Sequence, residues 1–223
     1  MLKVESLTKH FGKKVVLSDV SFTVNKGEVI GLVGENGAGK STLLKILSTL
    51  TPIESGRILY NELNYQDNRF DLRKKIGFVP QDIAVWEDFS VEENMVFFEQ
   101  LSWKKRTKKE LRQLCQDMKL EHWKHKTSSL SGGMKRKLNI ALSLIHDPDI
   151  LLLDEPTVGI DLKSKTEIGA YLRHLAKSKN KLILYTSHDM EEITSLCDRI
   201  YGIGTDPFYK KFLEDHGKDV HVL

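Results

Sequence analysis

One short segment constrains this chain more than any other, a glycine-rich loop with the pattern G-x-x-x-x-G-K-[ST] at residues 34–41. The loop follows an apolar run at residues 28–33, which predicts a buried strand, and precedes a run of apolar residues at helical spacing. The members of that run are Leu43, Ile46, Leu47 and Leu50, and Pro52 ends it. In this strand–loop–helix setting, backbone N–H groups surround phosphate oxygens. The segment therefore predicts a binding site for a nucleoside triphosphate.

Two side chains at the end of the loop have separate expected roles. Lys40 supplies a positive charge for the β- and γ-phosphates, whereas the Ser41 hydroxyl is a ligand for Mg²⁺. Thr42 is expected close to the same phosphates. The alternative is an ordinary glycine-rich connection between a strand and a helix, which the complete pattern in this setting disfavours.

The composition limits the class of protein. The chain has 223 residues, of which 40% are hydrophobic and 29% are charged, and this is ordinary for a soluble globular domain. A net charge of +3 is too small to indicate nucleic acid binding by itself. No apolar run approaches the roughly 20 residues that span a bilayer, and the N-terminus lacks a signal-peptide pattern. We therefore expect the chain in the cytosol, with Cys115 and Cys197 as small, partly buried hydrophobic residues.

The order of the apolar runs predicts an α/β fold. Loosely alternating residues near the N-terminus, with turn signals at Gly12 and Gly27, predict antiparallel strands. Later runs at residues 76–79, 150–153 and 182–185 each end in polar residues, and helical stretches lie between them. This alternation favours a parallel sheet, in which ligands bind beyond the carboxyl ends of the strands. The polar residues at these ends are therefore expected to meet at one nucleotide.

The segment at residues 82–147 has mostly helical periodicity, with amphipathic stretches at residues 91–101 and 109–120. It predicts an inserted helical subdomain. A basic run at residues 104–109 joins the two stretches. A solvated connection between helices is the favoured interpretation of this run, and contact with acidic phospholipid headgroups is the alternative.

Four polar residues at the predicted strand ends carry the expected chemistry. Asp154 and Glu155 follow a buried strand, where the first carboxylate organises Mg²⁺ and the second polarises a water molecule. His188 follows the next run and is placed to hydrogen-bond the γ-phosphate. Gln81 lies between a strand and the helical segment, so its amide can contact Mg²⁺ and water and move with that segment. The alternative for the two carboxylates is an acidic turn without function, which the phosphate loop upstream disfavours.

A second glycine-containing motif, Leu-Ser-Gly-Gly-Met, begins a predicted helix at residues 130–134. Ser131 is expected to cap this helix, while Gly132 and Gly133 expose its first N–H groups, so the motif is a second candidate anion site. One chain seldom needs two triphosphate sites. If the motif faces a second copy, each ATP is bound between the phosphate loop of one copy and the Ser-Gly-Gly turn of the other. ATP then holds the dimer together. The alternative is a capped helix without a ligand.

Together these residues resemble the nucleotide-binding subunit of ATP-binding cassette (ABC) transporters, in the order of that family and from Leu2 to about Ile200. Phe11 resembles the aromatic residue that stacks on adenine, although a core aromatic is the alternative. The resemblance implies that the Walker A loop binds ATP through Gly34, Asn36, Gly37, Ala38, Gly39, Lys40, Ser41 and Thr42. It also implies that Gln81 is the Q-loop residue and that Ser131, Gly132 and Gly133 belong to the signature. Asp154 and Glu155 are the implied Walker B pair. Asp161 is the implied D-loop residue, and His188 is the implied switch histidine.

The chain departs from the family pattern at two places. The signature commonly ends in glutamine, and Met134 lacks an amide that could bond to the opposite nucleotide. We expect ATP-driven dimerisation to survive this change, since Ser131 and Gly133 keep the phosphate contacts. The family also follows the Cys-Asp-Arg segment with a pair of strands. Here a single short run ends at Ile203, before a predicted helix that begins near Asp206 and ends near residue 216.

The resemblance implies a fold as well as a site. The expected fold class is α/β, a P-loop NTPase core with a mainly parallel sheet, an N-terminal antiparallel β subdomain and an inserted α-helical subdomain. One domain is expected, with the core at residues 1–81 and 148–223 and the helical subdomain at residues 82–147. The expected cofactors are ATP and Mg²⁺.

The implied function is ATP hydrolysis coupled to transport across a membrane. The expected partners are a separate integral membrane permease and a second ATPase subunit, either an identical copy or a sister chain. The chain is expected on the cytoplasmic face of a bacterial cell membrane, as a peripheral subunit, and export is favoured over import.

The alternative is a related ATPase that acts on nucleic acid or ribosomes. No nucleic acid partner is expected, because the sequence carries neither a coiled-coil insertion nor a zinc module. A small-molecule kinase with the same phosphate loop does not account for the Ser-Gly-Gly motif and His188 together.

Overall fold

The structure is a computed structural model that describes residues 1–204, 206–217 and 220–223. Its first sheet is antiparallel and comes from the N-terminal part of the chain. A turn joins strands β1 (Leu2–Phe11) and β2 (Lys14–Val24), which pair along their length. Strand β4 (Ser55–Tyr60) pairs with the other edge of β1, and β5 (Leu63–Asn64) pairs with β4. This sheet is the antiparallel subdomain that the alternating residues predict.

The second sheet is parallel. Its strands are β3 (Val29–Val33), β6 (Ile76–Val79), β7 (Ile150–Leu153), β8 (Leu182–Thr186), β9 (Arg199–Gly202) and β10 (Val220–Val222). They lie in the order β10-β9-β3-β8-β7-β6, with parallel pairing throughout. Strands β3, β7 and β8 are buried along their whole length, because both faces of the sheet are covered. Their sequences therefore read as continuous apolar runs.

The helices either cover the parallel sheet or form the insertion. They are α1 (Lys40–Leu47), α2 (Arg69–Arg73), α3 (Val91–Gln100), α4 (Lys108–Asp117), α5 (Gly132–Ser143), α6 (Leu162–Lys179), α7 (Met190–Leu196) and α8 (Pro207–Asp215), with a 3₁₀ turn at Thr127–Ser129. Two helices of the insertion begin with a capping box, in which Ser90 pairs with Glu93 and Thr107 pairs with Glu110. Within the ranges that the structure describes, no helix has the length and apolar composition needed to cross a bilayer.

Three clusters of buried apolar residues hold these elements together. Leu152 of β7 packs in the cluster that contains α1 and the antiparallel sheet, whereas its neighbours Leu151 and Leu153 pack in the cluster that contains α6 and α7. The third cluster lies among α3, α4 and α5 and includes Cys115. Cys197 is buried in the second cluster. Both cysteines therefore contribute to the core, as expected from their number and spacing.

The α/β fold class, with its antiparallel β subdomain and helical insertion, is confirmed by this arrangement. The boundaries of the three predicted ranges, 1–81, 82–147 and 148–223, stay a prediction. Residues 205, 218 and 219 of the last range lie outside the described residues.

Side chains of α5 connect the inserted helices to the core. The two terminal guanidinium nitrogens of Arg136 donate to the carbonyl oxygens of Pro80 and Gln81, at 2.9 and 2.6 Å. The next residue, Lys137, forms an ion pair with Glu167 of α6. The helix that follows the Ser-Gly-Gly motif is therefore joined both to the Gln81 segment and to α6.

The basic run at residues 104–109 makes contacts within the chain. Lys104 pairs with Asp147 at 2.8 Å, and Lys108 pairs with Glu92 at 3.0 Å. Arg106 donates to the carbonyl oxygen of Ile145, two residues after the end of α5. These contacts favour a solvated connection between helices over contact with phospholipid headgroups.

The predicted length of the first helix is wrong, because α1 ends at Leu47 and does not extend to Pro52. Thr49 has a left-handed backbone conformation, with φ +63°, and its N–H donates to the carbonyl oxygen of Ile46. The chain therefore leaves the helical path before Leu50. As a result Leu47 is 0% exposed and Leu50 is 59% exposed.

The region after Ile203 contains one element that the sequence analysis missed. Helix α8 follows Asp206, whose carboxylate accepts a hydrogen bond from the N–H of Phe208 at 2.9 Å, as the Asp-Pro sequence predicts. Strand β10 comes next and pairs in parallel with β9. Three residues at the edge of a sheet are too few to produce a recognisable pattern.

We expect Leu47→Ala to lower the free energy of unfolding by about 2–5 kcal/mol, because it removes buried methyl groups and leaves a cavity. Leu50→Ala is the matched control and should change that free energy by less than about 0.5 kcal/mol, since the side chain is exposed. Urea denaturation followed by circular dichroism measures both values. Equal losses in the two variants would contradict the helix end described above.

Candidate functional site

The phosphate loop connects β3 to α1 and bends back on itself. The N–H of Ala38 donates to the carbonyl oxygen of Glu35 at 3.2 Å, and Gly39 precedes the helix with φ +111°. A Cβ atom at Gly34 would lie 2.1 Å from the carbonyl oxygen of Ile203, so only glycine fits there. Ala38 lies against the same region, because a Cβ atom at Gly204 would be 3.1 Å from the Ala38 Cβ atom. Gly34 and Ala38 therefore pack against the segment that follows β9. Their contribution to the loop is to let it pack closely against that segment.

Lys40 lies at the first turn of α1, and 5% of its surface is exposed. Its Nζ donates to the carbonyl oxygens of Gly34 and Glu35 at 2.7 and 3.0 Å. Burial lowers the pKa of Lys40, while the carboxylates of Glu155 and Asp154 oppose this shift. The ammonium group is therefore held inside the loop and faces two buried acids.

Asp154 is buried at the end of β7 and lies next to the helix that follows the loop. Its Oδ1 accepts hydrogen bonds from Ser41 Oγ at 3.1 Å and from Thr186 Oγ1 at 3.0 Å. The N–H of Asp154 donates to the carbonyl oxygen of Val79 at 2.9 Å. The carboxylate is thereby fixed between the end of β8 and the start of α1.

Glu155 has a left-handed backbone conformation, with φ +46°. Such a conformation costs about 1–2 kcal/mol for a residue with a Cβ atom. The Thr186 hydroxyl holds the backbone there by accepting from the Glu155 N–H at 2.8 Å. The carboxylate is bonded on both oxygens, to His188 Nε2 at 2.7 Å and to Gln81 Nε2 at 3.2 Å. Three residues from three strand ends therefore meet at one carboxylate.

These groups line a cavity of about 350 Å³ above the carboxyl ends of β3, β6, β7 and β8. Its wall is formed by Asn36, Gly37, Gly39, Lys40, Ser41, Thr42, Gln81, Glu155 and His188. All nine were selected from the sequence as site residues, and the structure brings them together. Asp154 lies directly behind this wall through its bond to Ser41. The arrangement combines the loop and the Lys40 ammonium group with a carboxylate and an imidazole.

Phe11 does not line this cavity. Its ring is 56% exposed at the tip of the β1–β2 hairpin, and Lys9 Nζ lies 5.6 Å from the ring centroid. This exposure excludes the alternative that Phe11 is a core aromatic. The hairpin lies beside the loop, since Lys14 Nζ is 4.0 Å from the point where a Gly37 Cβ would be. Stacking of Phe11 on adenine stays a prediction.

Ser131, Gly132, Gly133 and Asp161 form a second group, separate from the cavity wall. Ser131 caps α5, because its Oγ accepts from the Met134 N–H at 3.3 Å. Asp161 caps α6, and its two carboxylate oxygens accept from the N–H and the hydroxyl of Ser164 at 2.9 and 2.7 Å. The Ser164 N–H bond is the largest cause of the lowered pKa of Asp161.

Gly133 brings the two capped helix ends together. A Cβ atom there would lie 2.2 Å from Ser164 Oγ and 2.9 Å from Asp161 Oδ2. Ser131 and Gly132, in contrast, are exposed. Met134 is half-buried and packs on the cluster among α3, α4 and α5. The Ser-Gly-Gly turn therefore exposes Ser131 and Gly132, while Gly133 packs against α6 and Met134 packs on the helical subdomain.

The sequence analysis missed Thr186 and Arg136. Thr186 joins both Walker B carboxylate residues through one hydroxyl, and Arg136 holds the backbone of Gln81. A signal for Thr186 was present, because a polar residue ended the buried run just before Ser187 and His188. Nothing in the sequence indicated the partner of Arg136.

Comparison with known proteins identifies the family. A family model described as "ABC transporter" matches residues 17–158, more than half of the chain, and a model described as an AAA domain matches residues 126–194. The linearmycin resistance ATP-binding protein LnrL of Bacillus subtilis is 39% identical over 203 residues, covering 90% of this chain and 65% of that protein. The Nod factor export ATP-binding protein I of Burkholderia lata is 40% identical over 198 residues, covering 87% of this chain and 65% of that protein. The chain thus spans about 65% of the length of these two relatives.

Solved structures agree with the family match. The dimeric structure of MJ0796, a bacterial ABC transporter cassette, has a TM-score of 0.81 and 26% identity, with 91% of this chain and 94% of that chain covered. A dimeric post-hydrolysis state of the same cassette, bound to ADP and Pi, has a TM-score of 0.80 over the same shares. The chain belongs to the ABC transporter family, and its fold is that of a nucleotide-binding domain. The resemblance seen in the sequence is confirmed.

We expect Gly133→Ala to lower the free energy of unfolding by about 1–3 kcal/mol, because the new methyl group overlaps Ser164. Gly132→Ala is the matched control. The nearest atom to a Cβ there is the Gly159 carbonyl oxygen at 4.0 Å, and alanine favours helix, so stability should be unchanged or slightly higher. Urea denaturation compares the two proteins. Equal stability of both variants would contradict the close approach of α5 and α6.

Proposed function

We propose that this chain is the ATP-binding and ATP-hydrolysing subunit of an ABC transporter, driving export through a separate membrane permease. The observation that carries the proposal is the meeting of Lys40, Glu155, His188 and Gln81 at one cavity beyond the strand ends. The names of the two relatives, a resistance protein and an export protein, support the direction of transport.

ATP binding is assigned to the phosphate loop and the start of α1. Backbone N–H groups of the loop and of the first turn of α1, together with the positive end of the helix dipole, provide an anion site, and Lys40 adds a full charge. Lys40 Nζ already faces the cavity between two loop carbonyl oxygens. The exposed ring of Phe11, at the edge of the loop, is assigned to stack on adenine.

The donors near Ser41 suit a hard divalent cation. Ser41 Oγ is 3.1 Å from Asp154 Oδ1, and the Gln81 side chain lines the same cavity. Hydroxyl, carboxylate and amide oxygens are the ligands that Mg²⁺ prefers. We assign these three residues to Mg²⁺, which supplies positive charge against the β- and γ-phosphates when it is bound.

Glu155 is assigned as the general base. Hydrolysis requires a water molecule to attack the γ-phosphorus while the bond to ADP breaks, and a carboxylate on the cavity wall can orient that water and take its proton. His188 Nε2 and Gln81 Nε2 hold the carboxylate from two sides. His188 is assigned to donate to the γ-phosphate when ATP is present, because it lines the same cavity.

A second ATPase subunit is expected to complete the site. Ser131, Gly132, Gly133 and Asp161 lie outside the cavity. Ser131 and Gly132 are exposed at the start of α5, and this helix start suits the γ-phosphate held by another copy or by a sister chain. The dimeric state of the MJ0796 cassette supports this arrangement. The helical insertion and Gln81 then transmit closure to the permease, since Arg136 joins α5 to the Gln81 backbone. The chain is assigned to the cytoplasmic face of a bacterial membrane, as a peripheral subunit.

We expect Glu155→Gln to bind ATP but to hydrolyse it at least about 100-fold more slowly, because the amide cannot accept a proton. Phosphate release gives the rate, and size-exclusion chromatography with Mg-ATP should show a trapped dimer. The control is Glu62→Gln, an exposed glutamate of the antiparallel region, which should behave as wild type. Unchanged turnover of Glu155→Gln would remove Glu155 from the assigned role.

We expect Lys40→Ala to lose ATP binding, because it removes the ammonium group assigned to the β- and γ-phosphates. Equilibrium binding of a fluorescent ATP analogue measures the effect. Normal affinity in this variant would refute the assignment of the phosphate loop.

We expect an integral membrane protein to copurify with tagged Glu155→Gln protein from gently solubilised membranes of the native host in Mg-ATP. Tagged Lys40→Ala protein is the control for capture that does not depend on ATP. Quantitative mass spectrometry identifies the partner and its stoichiometry. A polytopic partner would support transport, whereas recovery of ribosomes or nucleic acid complexes would refute it and leave the ATP chemistry intact.

A further inference from the structure

Glu192, which lies outside the cavity wall, accepts hydrogen bonds from residues close in sequence to Glu155 and to His188, the proposed catalytic pair. Glu192 lies in the first turn of α7 and is half-buried. Its Oε1 accepts from Tyr185 OH at 2.7 Å. Its Oε2 accepts from Thr157 Oγ1 at 2.7 Å and from Ser187 Oγ at 2.9 Å. One carboxylate therefore receives three hydroxyl groups from three different backbone positions.

The three hydroxyls belong to residues that flank the catalytic groups. Thr157 follows Glu155 by two positions, Ser187 immediately precedes His188, and Tyr185 lies at the end of β8. The Thr157 and Tyr185 hydroxyl oxygens lie 3.0 Å apart, and each hydroxyl has one hydrogen, which it donates to Glu192. Glu192 thus joins the segment after Walker B to the loop that carries the histidine.

The loop on the other side of His188 is fixed by the same cluster. The N–H of Asp189 donates to Ser187 Oγ at 3.0 Å, and the N–H of Glu192 donates to Asp189 Oδ1 at 3.2 Å. Lys165 of α6 adds an ion pair to Asp189 at 3.0 Å. His188 is therefore held between two residues whose side chains are both bonded.

The hydrogen bonds to Glu192 are energetically important because their donors are buried. The side chains of Tyr185, Thr157 and Ser187 are buried, and a buried hydroxyl without a partner is costly. Burial, followed by the neighbouring Glu192 charge, raises the pKa of Tyr185, so the phenol stays a donor. An ionised carboxylate has acceptor positions for all three donors and is favoured at the start of a helix. Few other side chains could satisfy this cluster.

We propose that Glu192 is a positioning residue for ATP hydrolysis, holding the Ser187–His188 loop against the Glu155–Thr157 segment. The proposal rests on the function proposed above. Glu192 acts through His188, because its bonds reach the flanking residues and the 2.7 Å contact to Glu155 is made by His188 itself. Loss of the Glu192 carboxylate should disturb the alignment of His188 with Glu155. It should leave the phosphate loop, on the other side of the cavity, unchanged.

The decisive comparison is between Glu192→Ala and Glu191→Ala. Glu191 is the exposed neighbour in the same helix turn, so both variants remove one negative charge and one glutamate side chain. We expect Glu192→Ala to lower kcat about 10- to 100-fold, as for lost supporting hydrogen bonds at a reacting centre, with KM for ATP within about twofold of wild type. Glu191→Ala should keep wild-type kcat. Glu192→Gln retains one acceptor oxygen and should recover part of the loss.

Hydrogen exchange provides a readout that does not depend on turnover. Amide exchange of residues 186–193 should be faster in Glu192→Ala than in Glu191→Ala, because Ser187 Oγ, which accepts from the Asp189 N–H, is no longer held by the Glu192 carboxylate. Ser187→Ala is the second variant if Glu192→Ala folds poorly, and it should also lower kcat with little change in KM. If the wild-type protein bound ATP without hydrolysing it, the proposed function would be refuted. Hydrogen exchange would still show whether Glu192 holds the loop that carries His188. Equal kcat and equal exchange in the Glu192 and Glu191 variants would overturn the positioning role.

Discussion

The parallel pairing of β8 with β3 on one side and with β7 on the other is the constraint on which the site depends. Strand β3 leads into the phosphate loop, β7 into the two carboxylates, and β8 into the histidine loop. Since the strands run in the same direction, their carboxyl ends share one edge of the sheet. Apolar side chains buried on both faces supply the driving force for this pairing. Thr186 then locks the edge, because its hydroxyl bonds to both Asp154 and Glu155.

The same edge gathers charges that are costly to bury. Lys40, Asp154 and Glu155 are all largely removed from solvent, and a buried charge is tolerated only when it is paired or hydrogen-bonded. Lys40 donates to loop carbonyls, Asp154 accepts two hydroxyls, and Glu155 is held by His188 and by an amide from the segment before the insertion. The left-handed backbone of Glu155 adds a further cost at the same place. The stability of the sheet therefore offsets the backbone strain at Glu155, the residue proposed to act in hydrolysis.

The second group of site residues has a different physical basis. It is built from two helix starts, capped by Ser131 and Asp161, that approach closely because Gly133 has no side chain. Arg136 connects this pair of helix starts to the backbone of Gln81, and Lys137 forms a further contact with α6. A displacement of the Gln81 segment would therefore act directly on the helix that begins at the Ser-Gly-Gly turn. This is the mechanical link that the proposed coupling between a permease and a closing dimer requires.

The sequence by itself determined the class of fold and the phosphate loop, because apolar runs, glycine patterns and helix caps depend on neighbours along the chain. It also selected the residues that meet at the cavity, since each follows a recognisable strand. Only the tertiary structure decided that Leu50 is exposed, that Gly133 lies against Ser164, and that Arg136 holds Gln81. It alone revealed the cluster centred on Glu192, whose hydroxyl partners reach back to Thr157. These features depend on distances between segments far apart in the chain, and such distances are fixed only when the sheet and its helices pack together.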